Sequence, residues 1–385
     1  MTKSHWNLRH LKAFVKTCEL GTILAASRAV HISQPAVTQG LMRLEDQLGT
    51  SLFERQPDRM RPTEAAQLLL PRAQMALELI RSNRVSQAQI RAFTALAREG
   101  SYVEASGATG LARASLHRAV ADLELAIGQS LIVRRGRGIE LTQTGRTTAR
   151  RYRLALAELG AAEDEINSLR GAASGRVTIG AMPLCRARVL PESIVRFQSI
   201  HADSEICIAE GSHIELVEPL RDGELDFLIG ALRDPSPGPD LVQVPLFTDR
   251  PVFIARSGHP LPARRTAIDL QDLTGFEWCI PQRGVPLRDR WQDLFDALGP
   301  RTPRVKVECG SVIAIRQILM KTDCLTILSP DQVAVELEAG WLKIVGLAPE
   351  NLTRTIGLTH RENWRPTPLQ DAFLSTLKLV CSTAS

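Results

Sequence analysis

Residues 33–55 read SQPAVTQGLMRLEDQLGTSLFER, and residues 112–134 read ARASLHRAVADLELAIGQSLIVR. Both lie inside a longer gapless self-match, in which residues 11–66 align with 90–145 at an offset of 79. Only 13 of the 56 paired positions are identical, but they fall in one pattern. Phe14 meets Phe93, Gly21 meets Gly100, and Ala26-Ser27 meets Ala105-Ser106; Leu44-Glu45 meets Leu123-Glu124, Gly49 meets Gly128, Ser51-Leu52 meets Ser130-Leu131, and Thr63 meets Thr142. A self-match at a fixed period decides architecture before any local feature does. Each copy reads as a helix-turn-helix followed by a basic hairpin.

In the first copy, Leu8, Leu11, Phe14 and Val15 recur at helical spacing and predict an amphipathic first helix. Gly21-Thr22 ends it and caps the next, since a threonine hydroxyl accepts from an orphan backbone N–H. Ala25, Ala26 and Ala29 keep the second helix narrow, and Val30-His31-Ile32 makes the turn. Ser33 caps a third helix, with Pro35 in the first turn, where its missing donor costs nothing. On that helix Val37, Leu41, Leu44 and Leu48 form the buried stripe, while Gln34, Pro35, Thr38, Gln39 and Met42 face outward. Glutamine, threonine and proline suit base edges and thymine methyl groups in a major groove. Arg55, Arg59 and Arg61 in the hairpin are placed near phosphates, which set position and salt sensitivity rather than sequence choice, and Arg43 on the helix is a further expected DNA contact.

The second copy keeps the stripe (Leu116, Val120, Leu123, Ile127), the glycines and the hairpin, and changes the outward face. Gln34-Pro35 becomes Arg113-Ala114, and Thr38-Gln39 becomes His117-Arg118. The cap Ser33 becomes Ala112, a loss of about 1 kcal/mol unless Ser115 caps a later helix start. The hairpin is more basic: Arg134-Arg135-Gly136-Arg137-Gly138. Two readings stay open: Arg113, His117 and Arg118 read different bases, guanine among them, or the second copy grips phosphates and reads none.

The string at 33–55, continued by RPTEAA at 61–66, resembles the DNA-binding signature of the LysR-type transcriptional regulators. Further phrases resemble the effector-binding region of that family: GRVTIGAMP (175–183), LPESIVRFQSIH (190–201), EGSHIELVEPLRDGELDFLIG (210–230) and SGHPL (257–261). The resemblance implies a multidomain, ligand-responsive DNA-binding regulator. Its α/β effector region would be two-lobed, like a periplasmic binding protein, with lobe I at 175–248 and 350–380 and lobe II at 249–349. It also implies double-stranded DNA, a small-molecule effector and RNA polymerase as partners, and a homodimer or homotetramer. The expected division is 1–82 for a first winged helix-turn-helix head, 83–172 for a second with its linker helix, and 173–385 for the effector region. The family's usual layout carries one head, so the second is a departure.

Between the copies, 65–80 is helical in composition, with a kink expected at Pro71. After the second hairpin, 142–169 reads as a longer helix on which Tyr152, Ala155, Leu159, Ala162, Ile166 and Leu169 are spaced 3, 4, 3, 4, 3. That heptad seam predicts pairing with a partner chain, as the corresponding helix does in the family; a stripe packed on its own domain is the alternative. Gly171–Gly175 is a flexible boundary.

Beyond it strands and helices alternate: strands at 177–181, 206–210, 225–231, 278–280, 305–309 and 325–328, helices at 190–198, 214–221, 287–298 and 311–320. Such alternation predicts a mainly parallel sheet with ligands beyond the carboxyl ends of its strands. Three strands run into helix starts, at Met182-Pro183, Ser212-His213 and Ser311, where free N–H groups attract anions. Arg283 and Val285, in the loop 281–285, complete the expected effector contacts, and an organic acid or a sugar acid is the expected ligand.

The net charge of +5 hides an asymmetry: residues 1–170 hold 24 Lys and Arg against 16 Asp and Glu. A basic front half suits nucleic-acid contact at one end. Seven scattered cysteines, without a C-x-x-C pair, argue for reduced core thiols and against a zinc site. The polar start MTKSHWNLRHLK and the lack of a long apolar run argue against a signal peptide or membrane span, and so for a cytoplasmic protein. An exported solute-binding protein would need the first of these and no DNA-reading head. An enzyme would need a nucleophile–base pair, a phosphate loop or a metal cluster, none of which the sequence offers; no catalytic residue, metal or cofactor is expected.

Overall fold

The computed structural model describes residues 6–56, 59–136, 138–171, 175–299 and 302–383. The chain divides into two compact units, the first built chiefly from residues up to Arg176 and the second from most of the chain beyond.

In the first unit the repeat recurs element by element. It opens with α1 (Leu8–Leu20), α2 (Ile23–Val30), α3 (Gln34–Leu48), the hairpin of β1 (Phe53–Arg55) and β2 (Met60–Pro62), and α4 (Glu64–Ile80). It continues with α5 (Gln87–Glu99), α6 (Tyr102–Thr109), α7 (Arg113–Ile127), the hairpin of β3 (Ile132–Arg135) and β4 (Gly138–Leu141), and α8 (Gln143–Leu169). Residues kept between the copies make the same bonds twice. Glu45 Oε1 accepts from the N–H groups of Leu52 (2.8 Å) and Phe53 (3.3 Å), as Glu124 Oε1 does from Leu131 (2.7 Å) and Ile132 (3.2 Å). The hydroxyls of Thr63 and Thr142 donate to the carbonyls of Ser51 and Ser130 while capping α4 and α8. Gly21 and Gly100 end α1 and α5 at φ +75° and +73°, a region that strains any Cβ.

The copies do not have separate interiors. Leu11, Phe14, Val37 and Leu44 of the first and Ile90, Phe93, Leu116 and Leu123 of the second share one hydrophobic core running through α4 and α8. The expected boundary at 82/83 therefore cuts one core, because the linking helix is itself half of the packing surface. α4 runs on through Pro71 as one helix.

The heptad seam of α8 is part of this core. Tyr152, Ala155, Leu159, Ala162 and Ile166 are at most 1% exposed in the single chain, where α8 packs along α4. This corrects the expectation of a seam facing a partner: Tyr152, Leu159 and Ile166 are covered within the chain, and Leu169 stands exposed at the end of α8. Heptad spacing defines a stripe that must be covered, but not which chain covers it.

The second unit contains two sheet assemblies. The first uses β5 (Arg176–Ala181), β6 (Glu205–Glu210), β7 (Phe227–Ala231) and β8 (Leu241–Asp249), with α9 (Val189–Gln198) and α10 (His213–Arg221) between strands. The second uses β9 (Val252–Arg256), β10 (Trp278–Ile280), α11 (Pro286–Asp296), β11 (Val305–Glu308), α12 (Val312–Lys321), β12 (Thr326–Leu328), α13 (Ala334–Glu338) and β13 (Leu342–Leu347). The chain then returns through β14 (Arg354–Arg361) into the first sheet, ordered β6-β5-β7-β14-β8, and ends in α14 (Pro368–Thr383), which packs on α9. The expected mainly parallel sheet is corrected: β5 and β7 are parallel, but β14 runs antiparallel to both neighbours, and β12-β9-β13 is antiparallel throughout. The antiparallel partner in the first sheet is a long-range return, which local alternation cannot announce. Trp278, Trp291, Phe295 and Phe253 fill the core of the second assembly, with Trp278 at 5.2, 5.4 and 5.7 Å from the other three rings.

Candidate nucleic-acid interface and effector site

α3 presents the predicted face because its apolar residues leave no other choice. Val37, Leu41, Leu44 and Leu48 are buried, which leaves Gln34, Pro35, Gln39, Met42 and Arg43 exposed and Thr38 half-buried. Ser33 caps the helix by accepting from the N–H of Ala36 at 3.4 Å. The Thr38 hydroxyl donates to the Gln34 carbonyl at 3.1 Å. Arg59, whose Nε donates to Gln56 at 2.9 Å, and Arg61 are exposed on the hairpin. Arg55 lies in β1, and its side chain is outside the described residues.

α7 repeats this geometry with other chemistry. Leu116, Val120 and Leu123 are buried; Arg113, Ser115, His117 and Arg118 are exposed. The helix starts at Arg113 without a side-chain cap, so Ser115 lies inside its first turn and does not replace Ser33. His117 stacks on Tyr102, with ring centroids 3.5 Å apart and 18° between planes. In the first copy the equivalent positions, Ile23 and Thr38, line a small hollow with Leu41, Phe53 and Met60. The aromatic at 102, in place of Ile23, was the overlooked signal for a fixed His117. Arg134 and Arg135 are exposed on β3, Arg135 paired with Glu140, and Arg137 lies outside the described residues.

The candidate effector residues form two groups in the second unit. Next to β5, Gly211 donates its N–H to the Ala181 carbonyl at 3.5 Å, which brings 182–183 beside 212–213. Here the structure corrects the expectation. The Met182 side chain is buried in the core over Gly230, where even a Cβ would clash with it, and no helix starts at 182–184; α9 begins at Val189. Pro183 is exposed. Ser212 gives both its N–H and its hydroxyl to Glu215 Oε2 at 2.7 Å, so a carboxylate of the same chain already sits at that helix start. His213 is the first residue of α10. Arg186, not singled out from the sequence, clamps the strand ends: its guanidinium donates to the Ala181 carbonyl (3.0 Å) and to Glu210 (2.8 Å).

The second group is assembled by the parallel pairing of β10 with β11, whose carboxyl ends lie side by side. Arg283 and Val285 are exposed in the loop after β10, whose Gln282 lies against Gly310, just ahead of Ser311, which caps α12 by accepting from the Ala314 N–H at 3.3 Å. Arg288 on α11 is buried 4.8 Å over the Trp291 ring and donates to Gln292 at 2.7 Å. Burial holds the Cys185 thiol up at about 12, against the opposing pull of the Arg186 charge and the Met182 carbonyl contact, which keeps it protonated near neutral pH. Among the described residues there is no cluster of three His, Cys, Asp or Glu that would hold a metal, and no helix is long and apolar enough to cross a membrane.

These features coincide with known proteins. A LysR substrate binding domain model matches residues 170–382, and a model of the bacterial regulatory helix-turn-helix protein, lysR family, matches 8–67 and 87–146. The HTH-type transcriptional regulator GalR of Pseudomonas putida is 32% identical over 97% of both chains. The SDS degradation transcriptional activation protein of a Pseudomonas strain is 29% identical, over 74% of this chain and 92% of its own length. The match to a full-length OxyR variant from Pseudomonas aeruginosa covers 77% of this chain and 98% of that one at 20% identity, with a TM-score of 0.56, a likeness of fold. An outward-facing recognition helix ahead of an α/β effector-binding region, matched along its length by both family models, makes this chain a member of the LysR family of ligand-responsive, DNA-binding transcriptional regulators.

Proposed function

We propose that both helix-turn-helix copies contact double-stranded DNA, and that the effector is a small organic acid, with a sugar acid as the nearest alternative. The observation that carries the first part is the matched outward face. At positions related by the offset of 79, α3 exposes Gln34, Pro35 and Gln39 and α7 exposes Arg113 and Arg118. Glutamine suits adenine edges, and arginine suits the O6 and N7 of guanine, so the two faces prefer different bases. Arg59 and Arg61 beside one recognition helix and Arg134 and Arg135 beside the other supply phosphate contacts. The stacking of His117 on Tyr102 and the missing cap on α7 favour a second reading, in which the second copy only grips phosphates.

The effector proposal rests on the exposed Arg283 in the loop after β10, whose Gln282 lies against Gly310 just ahead of α12; a guanidinium and free helix N–H groups favour a carboxylate. Effector binding then shifts the regulator between states by its difference in affinity for them. The output is altered DNA bending or contact with RNA polymerase, made by a homo-oligomer. A footprint on the chain's own promoter region, at fixed salt, tests the DNA part. The variant Arg113→Ala, His117→Ala, Arg118→Ala is expected to lose a distinct set of protected bases. Unchanged protection length and sequence preference would leave base reading to Gln34, Pro35, Thr38 and Gln39 alone.

A further inference from the structure

The packing of α4 on α8 has the form of a dimer interface inside one chain. The buried stripe of α4 is Ala66, Leu69, Ala73, Ala76 and Ile80; adding 79 gives Gly145, Thr148, Tyr152, Ala155 and Leu159, the buried stripe of α8. One pair of polar contacts obeys the same rule. Arg72 Nη1 donates to Glu158 Oε2 at 2.9 Å, while Arg151 donates through Nε and Nη2 to the Leu79 carbonyl at 2.8 and 2.6 Å. Arg151 is the repeat equivalent of Arg72, and Glu158 that of Leu79. Position 72 of one copy thus meets position 79 of the other, in both directions. Such reciprocity defines an isologous, two-fold contact. It also sets α4 and α8 antiparallel, since 72 meets 158 and 79 meets 151.

We infer that a single chain is a complete, two-fold-like DNA-reading pair, which takes one asymmetric duplex site with two inverted half-sites of unlike sequence. The inference rests on the proposal that both copies contact DNA, and adds that they do so as one rigid body. The shared core and the buried Arg72 pairs leave no hinge between α4 and α8. A symmetric pair of heads would demand a palindrome. Here the frame is two-fold but the faces are not: the half-site under α3 is read by glutamine, proline and threonine, and that under α7 by arginine.

The test uses the full chain on a duplex carrying the mapped site, at fixed salt. Two variants, Gln34→Ala with Gln39→Ala and Arg113→Ala with Arg118→Ala, locate the two flanks by the protected bases each one loses. Inserting about five base pairs between the flanks, half a helical turn, is expected to weaken binding tenfold or more, because the heads cannot follow. Mixing the two variants is expected to restore nothing, since each chain then carries one defective head. An insertion tolerated with both flanks protected, or affinity recovered on mixing, would overturn the intrachain pair while leaving DNA contact by both copies intact. If the second variant loses no bases, the proposal that both copies read DNA fails, and this inference fails with it.

Discussion

Arg72 shows at the scale of one residue how the two copies are joined. Its side chain is 1% exposed and pairs with Glu158 at 2.9 Å and Glu165 at 2.7 Å. Burial opposes its charge, but hydrogen bonds and negative charge from Glu165 and Glu158 outweigh that and hold its pKa above the ordinary value. Arg72→Ala would strand the buried Glu165 carboxylate. It is expected to cost about 3–5 kcal/mol, read as a shift in the denaturant midpoint of the first unit. Replacing both partners together, as Arg72→Met with Glu165→Leu, is expected to cost far less, because neither charge is then left buried alone. None of this was legible in the sequence, where an arginine on an amphipathic helix reads as solvated. The outward residues of α3 were legible, because the stripe at 37, 41, 44 and 48 leaves them only one direction.

At the scale of elements, the repeat allows one helix to be compared with its own copy. α3 and α7 share length and stripe, and differ at the cap: Ser33 accepts from Ala36, while Ala112 accepts nothing through its side chain. Ala112→Ser is therefore expected to stabilise the protein by about 0.5–1 kcal/mol, measured by chemical denaturation, and Ser33→Ala to destabilise it by a similar amount. Both ends of α3 and the C-terminal end of α7 followed from Ser33, Pro35, Gly49 and Gly128, whose chemistry is local, whereas no cap marks the start of α7. The long helix α8 was equally legible as a helix with a seam. Its partner was not, because the same 3, 4 spacing serves an intrachain and an interchain neighbour alike. The effector side shows the same limit: Met182 follows a strand, as expected, but glycine at 230 opens a space that draws its side chain into the core.

For the whole molecule, the basic front half becomes two sets of exposed arginines on one compact unit. Phosphate contacts act through counterion release, so their loss changes salt dependence rather than base preference. Arg61→Ala and Arg134→Ala are each expected to lower the slope of log affinity against log salt by about one, without changing which bases are preferred, as measured by binding titrations at several salt concentrations. A slope unmoved by Arg134→Ala would remove the second hairpin from the DNA contact. By itself the sequence determined the repeat, the helical copies with their hairpins, the outward residues of α3 and α7 and the α/β character of the second unit. Periodicity, capping and glycine chemistry act over a few residues and are written in the chain. Only the tertiary structure decided that the two copies share a core, that α4 rather than another chain covers the seam of α8, and that β14 returns antiparallel into the first sheet. Those are choices between partners far apart along the chain, and apolar surface specifies that it must be buried without specifying by what.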